Sequence, residues 1–380
     1  MHDHRLRTHD LRLPPLEPLT ADEITGEVVE VTDTGVVPFP TRGGNYEEPW
    51  ISEPGNVPAF DGVRTDVRPI EITQPEGPSF TVDDHAVAWQ KWTLRIGFTP
   101  REGPVLHQVA YAGRPIMYRA SLAEMYVPYG DPAPTHRFKN VFDQGEYGVG
   151  WLANSLTLGS DCVGHIRYFD GVVNDNDGAP VVIPNAVCMH EEDAGIAWKH
   201  TDFRTGPENP HGNAWEVHRT VLGSEAVAQR DTDAARARFW KIESATETSA
   251  LGAPTAYALM PGATVAPMYS PEALFAPRAG FTNHQLWVTA HDEKQRFAAG
   301  DYPNQHPGGR GLPSYVEGDR PLEGEDVVVW YTFGAHHIVR PEDWPVMPVS
   351  TIGFMLKPSG FFDGNPALDL PATDAHCHGT

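Results

Sequence analysis

The chain has 380 residues, 51 acidic against 28 basic, for a formal charge of -23, with 40% hydrophobic and 10% aromatic residues. That length can bury the core of one large or two ordinary domains, and the negative charge repels phosphate backbones and anionic headgroups, which excludes nucleic acid and membrane surfaces as partners. No stretch approaches the roughly 18 consecutive apolar residues of a membrane helix, and the polar start MHDHRLRTHD has no signal-peptide core, so a cytoplasmic protein acting on a small molecule is expected.

Proline and glycine, 36 each, punctuate the chain into short elements. Residues 1–60, rich in Pro, Gly and acids, read as an extended arm on a domain spanning 61–380. Alternating, β-branched and aromatic segments predict strands at 27–31, 87–98, 105–111, 115–119, 164–169, 285–290 and 326–333. Helical signals are few: 121–125, 225–238 and a turn near 271–275. Strands recurring between Gly/Pro turns predict an all-β fold, a large β-sandwich. Three cysteines, Cys162, Cys188 and Cys377, are too few for a disulfide scaffold and lack the CxxC spacing of a zinc site.

The most distinctive stretch is 125–202. It carries MYVPYGDP at 125–132, NVFDQGEY at 140–147, DCVG at 161–164 and KHTD at 199–202. Around it stand ITQPEGPSF at 72–80, REGPVLH at 101–107, RASLAEM at 119–125, GDYPNQH at 300–306, DVVVWYTFGAHH at 326–337 and GFMLKPSGFFD at 353–363. In this order the segments resemble the catalytic domain of the copper amine oxidases, whose topaquinone cofactor is made from one of their own tyrosines. The resemblance implies a shortened version of that β-sandwich and a homodimer.

It also implies roles for single residues. Asp143 matches the family's general base, which suits a carboxylate whose pKa is raised by desolvation towards working pH. Tyr129 matches the tyrosine that hydrogen-bonds the quinone oxygen, and Val141 the position of a bulkier gate residue. Cys162 and Cys188 match an intradomain disulfide. His337 matches the third copper ligand, and neutral imidazole suits copper(II). On a strand, His336 would face away from His337, so the doublet does not chelate. Asp326 matches a peripheral calcium-like site, far short of the six to eight oxygens calcium takes.

Equally telling is what the sequence does not contain. In the family, KH[ST]D is followed by long strands, the quinone motif TxxN-Tyr-[DE] and a His-x-His pair of copper ligands. Here KHTDFRTG at 199–206 runs straight into PENPHGNAW at 207–215, which matches a segment far downstream. Topaquinone is therefore expected to be absent, and copper lacks a complete ligand set. Asn45-Tyr46-Glu47 imitates the quinone motif with the wrong threonine spacing, and His2/His4 and His376/His378 read as incidental terminal histidines. His200, His211, His218, His284, His291 and His306 are read as solvated loop residues.

Three functional readings follow. The first is an enzyme of this fold doing non-redox acid/base chemistry on a small organic substrate through Asp143, with Tyr129 assisting. The others are a primary amine oxidase and a non-catalytic binding protein.

Overall fold

The computed structural model describes residues 19–21, 27–31, 48–57, 60, 62, 64–132, 139–158, 163–189, 218–344 and 346–369. Near the start, β1 (Leu19–Ala21) and β2 (Val28–Val31) pair antiparallel, followed by a short helix, α1 (Glu48–Ser52).

A five-stranded antiparallel meander comes next: β3 (Phe80–Asp83), β4 (Ala86–Trp89), β5 (Trp92–Thr99), β6 (Gly103–Tyr111) and β7 (Arg114–Ser121), each paired with its sequence neighbour. The continuous strand expected at 87–98 is in fact two. Gln90 takes a positive φ of 55° between them, and a two-residue reversal at Gln90-Lys91 lets Trp89 pair with Trp92.

Two ribbons follow. β8 (Tyr126–Pro128) pairs with β9 (Asn140–Phe142), and β10 (Arg167–Asn174) with β11 (Pro180–Met189). Val87 and Ile96 of the meander bury against Phe169 of β10, with Val187 and Met189 of β11 packed beside them.

The second half holds a three-stranded sheet and a ribbon. β12 (Trp240–Thr248) and β13 (Pro254–Pro261) join β16 (Phe354–Pro358), while β14 (Leu286–Ala290) pairs with β15 (Val327–Tyr331). These layers meet through Trp240, Leu259 and Leu286, with Ile242, Val288 and Tyr331 alongside. Sheet on sheet across an apolar filling is the sandwich arrangement. The all-β expectation therefore holds, with few and short helices.

Two predicted helices do not form. Residues 122–125 take no regular secondary structure, and 223–238 are turns, isolated bridges and irregular links. In the first, the Glu124 carboxyl turns inward to take backbone N–H groups of Met125, Gln144 and Gly145. In the second, Glu225 is fully buried, and its carboxylate takes hydrogen bonds from Ala290 N–H and from the backbone and side chain of Arg320. Tertiary pairing outweighs the helix propensity of the alanines there.

The largest core cluster positions the candidate site. Phe142, at the end of β9, is wholly buried with Phe281, Trp287, Leu312 and Trp330, and Tyr126 of β8 packs against the group. The Tyr126 and Phe142 rings lie 4.6 Å apart between centroids. That contact anchors the ribbon from which Asp143 emerges.

Candidate functional site

Asp143 opens a single-turn π-helix, Asp143–Tyr147, directly after β9. Such turns occur mostly as local insertions, frequently at functional sites. The Asp143 backbone N–H donates to Met125 O at 2.8 Å, which extends the β8–β9 ladder by one bond. The Asp143 side chain is partly buried, and desolvation pushes its carboxyl above the ordinary aspartate value.

The turn is tied down from below by Glu124, only 9% exposed. Glu124 Oε1 accepts three backbone N–H groups, from Met125 at 3.0 Å, Gln144 at 3.1 Å and Gly145 at 3.1 Å. Gln144, itself buried, donates from Nε2 to Leu122 O at 2.6 Å. Glu146 Oε2 accepts from Phe142 N–H at 3.2 Å. Gly145 is required by space: a Cβ there would stand 2.3 Å from Pro303 Cγ and 2.8 Å from Glu124 Oε2.

Arg101, in the turn between β5 and β6, holds the neighbouring 297–301 segment. It donates to Asp301 O at 2.7 Å and Gly300 O at 3.0 Å, and its guanidinium lies 3.5 Å from the Phe297 ring centre. Burial pushes the Glu124 carboxyl up to about 7, against the opposing pull of its backbone donors and Arg101. Glu124 stood inside the RASLAEM segment of the sequence, but nothing in that string marks it as buried.

Tyr129 follows β8 at the other end of the ribbon. It is 53% exposed, and the Lys139 ammonium sits 4.5 Å from its ring centre. The register sets Tyr129 beside Lys139 and Asp143 beside Met125. The two residues thus share a ribbon face but stand four positions apart, about 13 Å along the strand. At that separation no direct hydrogen bond joins them. Val141 faces Val127 at the ribbon's centre.

His337 lies beyond β15, which ends at Tyr331, so the doublet is not on a strand as expected. Its Nε2 is 2.8 Å from Asp343 Oδ2, while Arg340 holds the other oxygen at 2.7 Å. These bonds keep the buried Asp343 carboxyl well below the usual range. His336 Nε2 is 2.8 Å from Ala266 O. His284 contacts Asp231 at 3.2 Å, and His306 caps Gly308 N–H at 3.1 Å. Among the described residues no three His, Cys, Asp or Glu side chains converge as metal donors, and the donors around His337 do not fit a copper ion.

Cys188 lies on β11 opposite Tyr168, whereas Cys162 falls outside the described residues, as do Asn45-Tyr46-Glu47, His2, His4, His200, His211, His376 and His378. A cleft of about 620 Å³, bordered by His85, Arg95, His107 and Arg167, opens between the meander and β10. Neither Asp143 nor Tyr129 lines it.

The family description "Copper amine oxidase, enzyme domain" matches residues 81–208 and 204–376. The chain belongs to the copper amine oxidase family. It is 39% identical to histamine oxidase of Arthrobacter globiformis, over 96% of this chain and 68% of that one. It is 38% identical to peroxisomal N-methylputrescine oxidase 1 of Nicotiana tabacum, over 81% of this chain and 53% of that one. A crystal structure of a copper-containing benzylamine oxidase from Hansenula polymorpha superposes with a TM-score of 0.76 at 29% identity, covering 93% of this chain and 70% of the other.

The histamine oxidase alignment runs over 470 positions although this chain has 380 residues, so at least 90 positions (470 less 380) face a gap in it. The two family matches meet at 204–208, where the sequence passes from KHTDFRTG into PENPHGNAW. Among the described residues no helix is long and apolar enough to cross a membrane.

Proposed function

We propose that this protein is a copper-amine-oxidase-fold enzyme that performs non-redox acid/base chemistry on a small organic substrate through Asp143. The observation that carries the reading is the support around that one carboxylate: partly buried, shifted upward by desolvation and presented on a turn tied by a buried glutamate. A base so placed takes a proton from carbon next to a C=N or C=O group and returns it to another position. Tyr129, across the ribbon face, orients the substrate.

Small amines are the favoured substrate class, because the relatives are named for histamine, methylamine and N-methylputrescine and an acidic chain attracts ammonium groups. Side chains alone cannot take two electrons from an amine and pass them to dioxygen. The residues that build the family's quinone and two of its copper ligands belong to the block missing after 202, and this favours proton transfer over oxidation. A homodimer is part of the same reading.

The test is solvent exchange. The protein is incubated with a panel of small amines and their carbonyl counterparts in D2O, and loss of the α-hydrogen signal is followed by NMR. Exchange with the wild type that falls at least 100-fold in Asp143→Asn is expected; full exchange in the variant overturns the assignment.

The family membership itself favours a second reading, a primary amine oxidase. It requires a visible quinone absorption band, stoichiometric copper by metal analysis and hydrogen peroxide on amine addition. Any of these in the purified protein displaces the first reading.

A further inference from the structure

Beneath Asp143 lies a carboxyl group whose two oxygens are treated very differently. Glu124 Oε1 collects three backbone N–H donors, from Met125, Gln144 and Gly145. Oε2 is buried with no hydrogen-bond partner, at the spot where Gly145 and Pro303 close over it. A buried, ionised carboxylate normally shares donors between both oxygens, because each carries half the charge. The three donors on Oε1 alone favour the ionised form, but the bare, buried Oε2 has nothing to stabilise its share of charge, and burial is the larger effect, so Oε2 is read as a hydroxyl and Oε1 as a carbonyl. On the same turn, Gln144 Oε1 is also buried without a partner, an acceptor of the kind such a hydroxyl requires.

We propose that Glu124 is a positioning residue for Asp143: as a neutral carboxylic acid, its carbonyl oxygen clamps the π-turn to the start of β8 and so fixes the direction in which Asp143 points. The inference rests on Asp143 being the working carboxylate, and it adds a residue and a pH response to that site.

The charged surroundings oppose the neutral form only weakly. Arg101 is the cation acting on Glu124, but its guanidinium donates to Asp301 O and Gly300 O and stacks on Phe297, and no bond to Glu124 forms. Asp301, Glu102 and Tyr315 act in turn on Arg101. Asp143 and Glu146 are the other acids of the turn, and neither donates to Glu124. Burial favours the neutral form and outweighs the pull of Arg101.

The sign of the pH response follows. When the turn opens, Glu124 meets water and regains its ordinary acidity. Protection of the closed turn is therefore full below the ordinary glutamate value and is lost as pH rises towards 7.

Amide hydrogen exchange, corrected for intrinsic rates and read by mass spectrometry on the full chain, tests this without any substrate. In the wild type, protection of residues 142–148 should fall at least tenfold between pH 5 and pH 8, while β14 and β15 change less than twofold. Glu124→Gln keeps a neutral acceptor oxygen, so protection should stay within threefold of wild type at pH 5 with no fall by pH 8. Glu124→Ala should lose at least tenfold protection in 142–148 at pH 5. In the D2O assay, Glu124→Gln should keep substrate exchange and flatten its pH profile.

A wild-type turn indifferent to pH, or a Glu124→Gln turn as open as that of Glu124→Ala, overturns the proposal. Should Glu124→Ala fail to fold, the wild-type and Glu124→Gln pair still decides. Failure of the Asp143 reading shows separately, as exchange that survives Asp143→Asn.

Discussion

Two regions of this molecule were expected from the sequence to carry chemistry, and they are built in opposite ways. The Asp143 turn sits on a buried glutamate, a stacked arginine, a close-fitting proline and the largest apolar core cluster. His337 is 44% exposed on an irregular segment, and its partner, Asp343, is bonded more fully to Arg340. A match of residue type is the same in both. What separates them is the shell that holds the side chain, since a catalytic group must be kept to fractions of an ångström by its neighbours.

The contrast can be broken most directly by removing the shells. Glu124→Ala strands three backbone donors, each costing roughly 1–3 kcal/mol when buried without a partner, so thermal or denaturant unfolding should register a loss of about 4 kcal/mol. A smaller loss would place the turn and His337 on an equal footing.

The pH dependence sharpens the same point. Glu124 is raised from 4.5 to about 7 in the fold, so the folded state holds a proton that the unfolded state releases. Its contribution is complete below the unfolded value and disappears as pH climbs through 7, a change of about 3 kcal/mol. Denaturant titrations at pH 4.5 and 8 should show that drop in the wild type and not in Glu124→Gln, whose amide does not titrate.

Gly145→Ala forces a methyl group against Pro303, and overpacking of this kind typically costs about 1–3 kcal/mol. At the bottom of the scale, His337→Ala should cost under about 1 kcal/mol, as expected for a half-exposed side chain with one polar contact. Copper titration followed by metal analysis should find uptake equal in His337→Ala and wild type; specific loss of copper in the variant would show His337 to be the better supported of the two.

Much of this was open to sequence reasoning, and the exceptions share a cause. The strands at 105–111 and 326–333 were visible because their β-branched alternation is local, and they appear as β6 and β15 with shifts of two residues or fewer. β12, WKIESATET, alternates just as regularly but carries enough polar residues to pass for loop. β13 escaped because a strand buried on both faces has no polar alternation to read. Asp143 was singled out by its flanking motif, and the structure places it at the start of the π-turn. The turn itself was not legible, because it exists through Glu124 and Pro303, 19 and 160 positions away in the chain. Glu124 itself was hidden by type, since a glutamate next to a methionine and a tyrosine reads as surface until its three donors are seen.

The contact between Gly145 and Pro303 also constrains the order in which this gene can change. Every single-base change in a glycine codon that does not stop translation either is silent or installs a side chain, and each side chain begins with the Cβ that Pro303 forbids. Position 145 therefore moves at a cost in stability unless position 303 has first shrunk or shifted. A contact this close couples the two sites in energy, and a lineage that altered the 297–303 loop first would be the place to find a different residue at the heart of the turn.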